Sequence, residues 1–255
     1  MFIDSHCHLD FDVFRHDRDL ILASCADAGV SKILMPGVSP EQWERVADLC
    51  SNHQELVYAV GLHPWWLNKT KELEMIAQDF LRHVVVNKCV AIGECGLDCN
   101  IDVPLEQQLV VFNWHLKQAQ KLAKPVIIHS VKAHHHTLSA LQNFPGVRGV
   151  VHAFSGSYET GMAYWEKGFY LGIGGTISYE RAHKTRNAVA KLPLEALLLE
   201  TDAPDMPLQG KQGSRNTPEN LPLVAQILAH LKNRTIDTVA NQTSANFQQL
   251  FQCRL

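Results

Sequence analysis

Six short apolar runs in this chain each end on residues able to ligate a metal or move a proton. Phe2-Ile3 leads into Asp4-Ser5-His6-Cys7-His8, and residues 57–62 lead into His63. Val90-Ala91-Ile92-Gly93 ends at Glu94, Val126-Ile127-Ile128 at His129, and Val150-Val151 at His152. Leu197-Leu198-Leu199 runs into Glu200-Thr201-Asp202. Apolar runs of this length, separated by helical stretches, read as buried parallel strands. Residues just beyond the C-terminal ends of such strands are where α/β barrels build active sites.

Two further runs bring the expected strands to eight: 2–6, 32–37, 56–62, 89–94, 125–129, 148–152, 169–174 and 196–201. Helical patterns fill the gaps. Residues 17–28 stop at Gly29, a common helix terminator, and Ser39-Pro40 opens the next helix as cap and first residue. Helices follow over 71–87, 104–123, 133–143 and 157–167, with a weaker pattern over 178–192. Thr217-Pro218-Glu219-Asn220 caps an eighth, and 235–251 adds a terminal one. Eight alternations predict an α/β chain forming a single (β/α)8 TIM barrel over residues 1–255. A doubly wound open sheet is the alternative, because sequence does not show whether the first and last strands meet. No linker, low-complexity run or internal repeat marks a second domain.

Composition narrows the class. Of 255 residues, 46% are hydrophobic and 19% charged, enough apolar surface for a large core. No apolar stretch has the length of a membrane span. Acidic and histidine residues by position 8 are unlike a signal peptide. The seven cysteines are odd in number and spread without a framework, which points to a reducing, cytoplasmic setting. A net charge of −3 argues against a broad basic face coating nucleic acid, but not against cleavage of a few nucleotides whose charge bound cations neutralise. Nothing calls for a membrane or an obligate protein partner.

His6 and His8 are one residue apart, so on an extended segment both rings face the same way and can clamp a divalent ion. Cys7 faces the other way. Glu94 closes a buried run, where a carboxylate is costly unless paired or metal-bound, and its two oxygens can bridge two cations. His129 and His152 stand in the right places for a second ion; singly, each could be a core histidine bonded to backbone, but on neighbouring strands they read as ligands. Asp202 precedes Ala203-Pro204 on the same rim, where it could ligate, orient the attacking water, or both. These residue types in this arrangement point to a metal-dependent hydrolase.

The motifs Asp4-Ser5-His6-Cys7-His8-Leu9-Asp10, Gly61-Leu62-His63-Pro64, Gly93-Glu94-Cys95-Gly96-Leu97-Asp98, Pro125-Val126-Ile127-Ile128-His129-Ser130, His152-Ala153-Phe154-Ser155-Gly156 and Glu200-Thr201-Asp202-Ala203-Pro204 resemble those of the TatD family of metal-dependent deoxyribonucleases, amidohydrolase-like barrel enzymes. The resemblance runs from residue 4 to about residue 220. It implies a distorted TIM barrel with two divalent ions at the strand ends. The first would sit on His6, His8, Glu94 and Asp202, the second on Glu94, His129 and His152. With so many imidazoles, zinc or manganese suits the set, and magnesium comes third. The chain departs from the family pattern at three positions: Trp65 where a second histidine is common, Val131 followed by Lys132 where an arginine is common, and Cys99 where an aromatic is common.

The expected reaction is hydrolysis of an ester bond, foremost a phosphodiester at a DNA end. Asp202 accepts or positions the water's proton, Glu94 bridges the ions, and His63 hydrogen-bonds the substrate oxyanion or the bound water. Arg215 and Lys132, with Lys211, are the expected phosphate contacts. Trp65 or Trp66 either stacks a base or packs the loop. Two other readings stand beside this one: hydrolysis of a small carboxylic ester, lactone or amide by the same ions, and metal binding without catalysis. His134-His135-His136 reads as a solvated helix start, Cys95 and Cys99 as structural thiols, and Gly172 to Gly175 as room at the rim for a substrate's backbone.

Overall fold

The computed structural model describes residues 1–69 and 73–253. Its strands are β1 (Phe2–Asp4), β2 (Val30–Gly37), β3 (Leu56–Val60), β4 (Cys89–Asp98), β5 (Val126–Val131), β6 (Gly149–Val151), β7 (Phe169–Ile173) and β8 (Leu197–Leu199). The helices are α1 (Arg18–Asp27), α2 (Pro40–Asn52), α3 (Leu73–Val84), α4 (Leu105–Leu122), α5 (His134–Leu141), α6 (Tyr158–Trp165), α7 (His183–Lys191), α8 (Leu221–Lys232) and α9 (Ile236–Phe251). Strand order in the sheet is chain order, β1 to β8.

Local signals set the helix ends. Gly29 takes φ +78° just past α1, a conformation that costs glycine little. Pro40 starts α2 behind an extended Ser39. The Ser157 and Thr235 hydroxyls accept N–H bonds at the starts of α6 and α9. The expected helix over 71–87 ends at Val84, and its first residues lie outside those described. The weak pattern over 178–192 divides into a 3-10 turn, Gly175–Ser178, and α7.

The chain forms two compact units, Met1–Met35 with His152–Leu255, and Pro36–Val151. In the first, β1 pairs in parallel with β2 and β7 with β8. Beyond their strand ends, the β1 and β8 segments are laced together. Ser5 N–H donates to Leu199 O at 2.9 Å, Asp202 N–H to His6 O at 2.8 Å and His8 N–H to Ala203 O at 2.7 Å. First strand joined to last is the connectivity of a barrel and not of an open sheet. Buried Asn246 of α9 ties the approach to β8 by donating to Leu194 O and Leu197 O.

In the second unit, β3 pairs with β4, β4 with β5 and β5 with β6, all parallel. Here the structure corrects the sequence reading of where the strands stop. β4 does not end at Glu94 but runs on to Asp98, with Gly96 opposite His129 and Asp98 opposite Val131. The cause is Gly96: at φ +147°, a Cβ there would lie 2.0 Å from His129 O, so only glycine lets β4 stay against β5. Glu94 and His129 are therefore held inside strands, a stiffer mount than a loop. Among the described residues no helix is long and apolar enough to cross a membrane.

Candidate metal centre

In the first unit, the β1–β8 lacing sets His6, His8 and Asp202 side by side. His6 Nε2 and His8 Nε2 are 3.3 Å apart, and Asp202 Oδ1 is 3.5 Å from the former and 3.7 Å from the latter. Tetrahedral ligands at zinc–nitrogen distances of about 2.05 Å stand roughly 3.3 Å from one another, so the donor set fits a divalent ion. His152, one residue past β6, stacks on His6 with centroids 3.9 Å apart, and His6, His152 and Asp202 also lie within ligand spacing of one another. Asp202 sits at φ +56°, a left-handed conformation that few non-glycine residues adopt and that clusters at functional sites.

Behind these groups is a buried acidic support. Asp4 accepts from His6 N–H at 3.1 Å, Thr201 N–H at 3.0 Å and the Thr201 hydroxyl at 2.5 Å, and so joins the segments carrying His6 and Asp202. Burial raises its pKa to about 7 against these bonds. Glu200, fully enclosed, accepts from Ala153 N–H at 2.5 Å, just after His152, and burial pushes it to about 8. Gly172 makes room for it: a Cβ there would lie 2.0 Å from Glu200 Oε2. Gly172, inside β7, thus accommodates this carboxyl, where the sequence suggested access for a substrate.

The second unit supplies His63, Glu94 and His129, all buried and within ligand spacing. Glu94 Oε1 is 3.3 Å from His63 Nε2 and 3.0 Å from His129 Nδ1. The other His129 nitrogen, Nε2, donates to Asp98 Oδ2 at 3.1 Å. An imidazole flanked on both nitrogens by carboxylates needs a cation on one side, a proton or a metal ion. With Asp98 taking the N–H, Nδ1 would be the nitrogen offered to a metal ion, the usual arrangement of a metal-binding histidine and its outer carboxylate. Burial works to raise the Asp98 pKa, but bonds from His129, Trp65 and Asn100 N–H outweigh it and hold it at about 2.

The expected substrate contacts are spread differently. Lys132 is exposed at the end of β5, at φ +50°. Trp65 is 59% exposed and donates its indole N–H to Asp98 Oδ2 at 2.8 Å. Arg215 is engaged elsewhere: it grips Asp17 through two nitrogens, donates to Val13 O and lies 4.8 Å from the centre of the Phe14 ring. Lys211 donates to Asn220 at 2.7 Å. Of the expected solvated helix start, His135 and His136 are exposed, whereas His134 is half-buried and its Nδ1 lies 3.2 Å from the Ser130 hydroxyl.

Sequence reasoning passed over four supporting residues. Asp4, Asp98 and Glu200 lay inside the motifs without an assigned role. The period-2 spacing of Glu94, Gly96 and Asp98 was a signal that Asp98 shares the face of Glu94. His115 gave none: it lies within α4, and Nε2 accepts Leu62 N–H at 3.0 Å just before His63.

Residues 3–252 match the family model described as TatD related DNase. The chain is 43% identical over 254 residues to the metal-dependent hydrolase YjjV of Escherichia coli (strain K12), covering 98% of this chain and 97% of YjjV. The crystal structure of that TatD homologue superposes with a TM-score of 0.93 over 99% of this chain and 98% of the other, which establishes the (β/α)8 barrel of parallel strands. The 3'-5' ssDNA/RNA exonuclease TatD of Shigella flexneri serotype 5b is 33% identical over 265 residues, covering 97% of this chain and 98% of that one. With its barrel and the imidazole–carboxylate clusters among its described residues, the chain belongs to the TatD related DNase family of metal-dependent hydrolases.

Proposed function

We propose that the chain hydrolyses phosphodiester bonds at the ends of DNA strands, using two divalent ions. The supporting observation is the pair of imidazole–carboxylate clusters at ligand spacing, on a chain 33% identical to a named 3'-5' ssDNA/RNA exonuclease. In this reading His6, His8, Asp202 and Glu94 would hold one ion, and Glu94, His129 and His152 the other. Zinc and manganese suit a donor set rich in imidazoles. Bound there, the ions would acidify a water and offset charge on the phosphate.

The protein's own groups do the rest. Asp202 turns Oδ1 toward His6 and His8, and its carboxylate would take the water's proton. His63 accepts Trp65 N–H on Nδ1, so its proton is on Nε2, and it serves as a hydrogen-bond donor to the developing oxyanion. Asp98 and Asp4 hold His129 and the His6 backbone in place. Lys132 meets phosphate, and the exposed Trp65 ring offers a face to a terminal base.

A second reading is hydrolysis of a small carboxylic ester, lactone or amide by the same groups. It is favoured by Arg215, whose guanidinium is taken by Asp17 and so contributes less to an anion site. Chelator-stripped protein reloaded with zinc or manganese separates the two. End-labelled single-stranded DNA, a generic phosphodiester and a carboxylic ester are offered in parallel. Stepwise shortening of the DNA is expected; ester turnover without DNA cleavage in either metal would replace the nuclease reading.

A further inference from the structure

Trp65 stands two residues after His63, and its two N–H groups address different histidines. The backbone N–H donates to His63 Nδ1 at 3.1 Å. The indole N–H donates to Asp98 Oδ2 at 2.8 Å, the same oxygen that receives His129 Nε2 at 3.1 Å. A ring nitrogen that accepts an N–H carries no proton, so His63 keeps its proton on Nε2 and faces Glu94 Oε1 as a donor, 3.3 Å away. His129 also has its Nε2 proton, donated to Asp98, which leaves Nδ1 facing Glu94 Oε1 at 3.0 Å as the position a metal ion would take in place of a proton. Two imidazoles whose centres are 4.3 Å apart, sharing one carboxylate oxygen, thus have opposite roles.

We propose that Trp65 is the positioning residue that divides those roles, fixing His63 as donor through its backbone and His129 as ligand through Asp98. The inference rests on reading His63, Glu94 and His129 as part of a metal site. Asp98 has to hold one orientation for His129 to present Nδ1, and three donors fix it: Trp65 and His129 on Oδ2 and Asn100 N–H on Oδ1 at 2.8 Å. Removing the indole N–H loosens that carboxylate without touching a ligand. The ring itself is more than half exposed, so phenylalanine can replace it without opening the core.

Titration calorimetry of manganese into chelator-stripped protein tests this on wild type, Trp65→Phe, Asp98→Asn and the double variant. Loss of an outer partner of a ligating histidine weakens metal binding about 10–100-fold, and Asp98→Asn is expected in that range. Trp65→Phe, one hydrogen bond further out, is expected near the lower limit, about tenfold or slightly less. In the Asp98→Asn background Trp65→Phe should cost nothing more, since its effect travels through Asp98. Imidazole 15N shifts of metal-free protein provide the second readout. Asp98→Asn should move the His129 proton off Nε2, while His63 keeps its own in every variant because the backbone N–H of residue 65 remains. Wild-type affinity in Trp65→Phe, or losses that add in the double variant, would overturn the proposal while leaving the metal site standing. A wild type that takes up no manganese would overturn both.

Discussion

His115 predicts a measurable pH dependence of stability. It is fully buried in α4, its Nδ1–H donates to Val111 O at 2.8 Å, and its Nε2 accepts from Leu62 N–H. Both bonds require the neutral ring. Burial lowers the pKa from 6.5 to about 4, opposed in part by the bond to Val111. The unfolded chain binds this proton near pH 6.5 and the folded chain only near pH 4. Between those values the unfolded state holds more protons, so acidification favours unfolding. The contribution is whole above pH 6.5 and is lost as pH falls through about 4; the interval is equivalent to about 3 kcal/mol. Glutamine at 115 can still accept Leu62 N–H through its amide oxygen but does not titrate. Urea unfolding of wild type and His115→Gln, in chelator, should show wild type ahead at pH 7.5 and the gap closing by about 3 kcal/mol toward pH 4. Comparing two proteins that share all other titrating groups isolates this one. A gap that stays constant from pH 7.5 to 4 would refute the buried, neutral assignment.

Other residues yield shorter tests. Asp202→Asn keeps the shape but removes the proton acceptor, and should lower turnover at least about a hundredfold; near-normal turnover would mean Asp202 is not the base. Arg215→Ala should raise KM equally for DNA and for a small ester, because Arg215 anchors its loop on Asp17 and Phe14; a rise confined to DNA would restore it as a phosphate contact. Gly96→Ala pushes a Cβ into His129 O at a φ that alanine adopts only under strain. It should destabilise the protein by at least about 1–3 kcal/mol and weaken metal uptake in calorimetry, and a wild-type melting curve would contradict the close approach of β4 to β5.

Much of the site was legible because strands bury themselves in runs. Where β1, β6 and β8 stop, apolar side chains give way to His6, His152 and Asp202, a change that composition along the chain displays directly. The candidate ligand types were legible for the same reason: a histidine or carboxylate closing a buried run needs a partner, and several together suit a cation. The alternation of strands with helices also limited the fold to a barrel or an open sheet.

Tertiary structure decided the rest, through interactions between residues far apart in the chain. Whether the first strand meets the last depended on Ser5, Asp202 and His8 bonding across nearly 200 positions. That β4 runs past Glu94 depended on how closely Gly96 approaches His129, a distance no local pattern encodes. Arg215 looked available as a phosphate contact until the fold brought Asp17 to it from 198 residues away. The tautomers of His63 and His129 depend on which neighbours reach each ring nitrogen. Residue types in sequence determine what groups a strand end can offer; only packing determines which of their atoms are already spoken for, because hydrogen bonds act over about 3 Å in space and not along the chain.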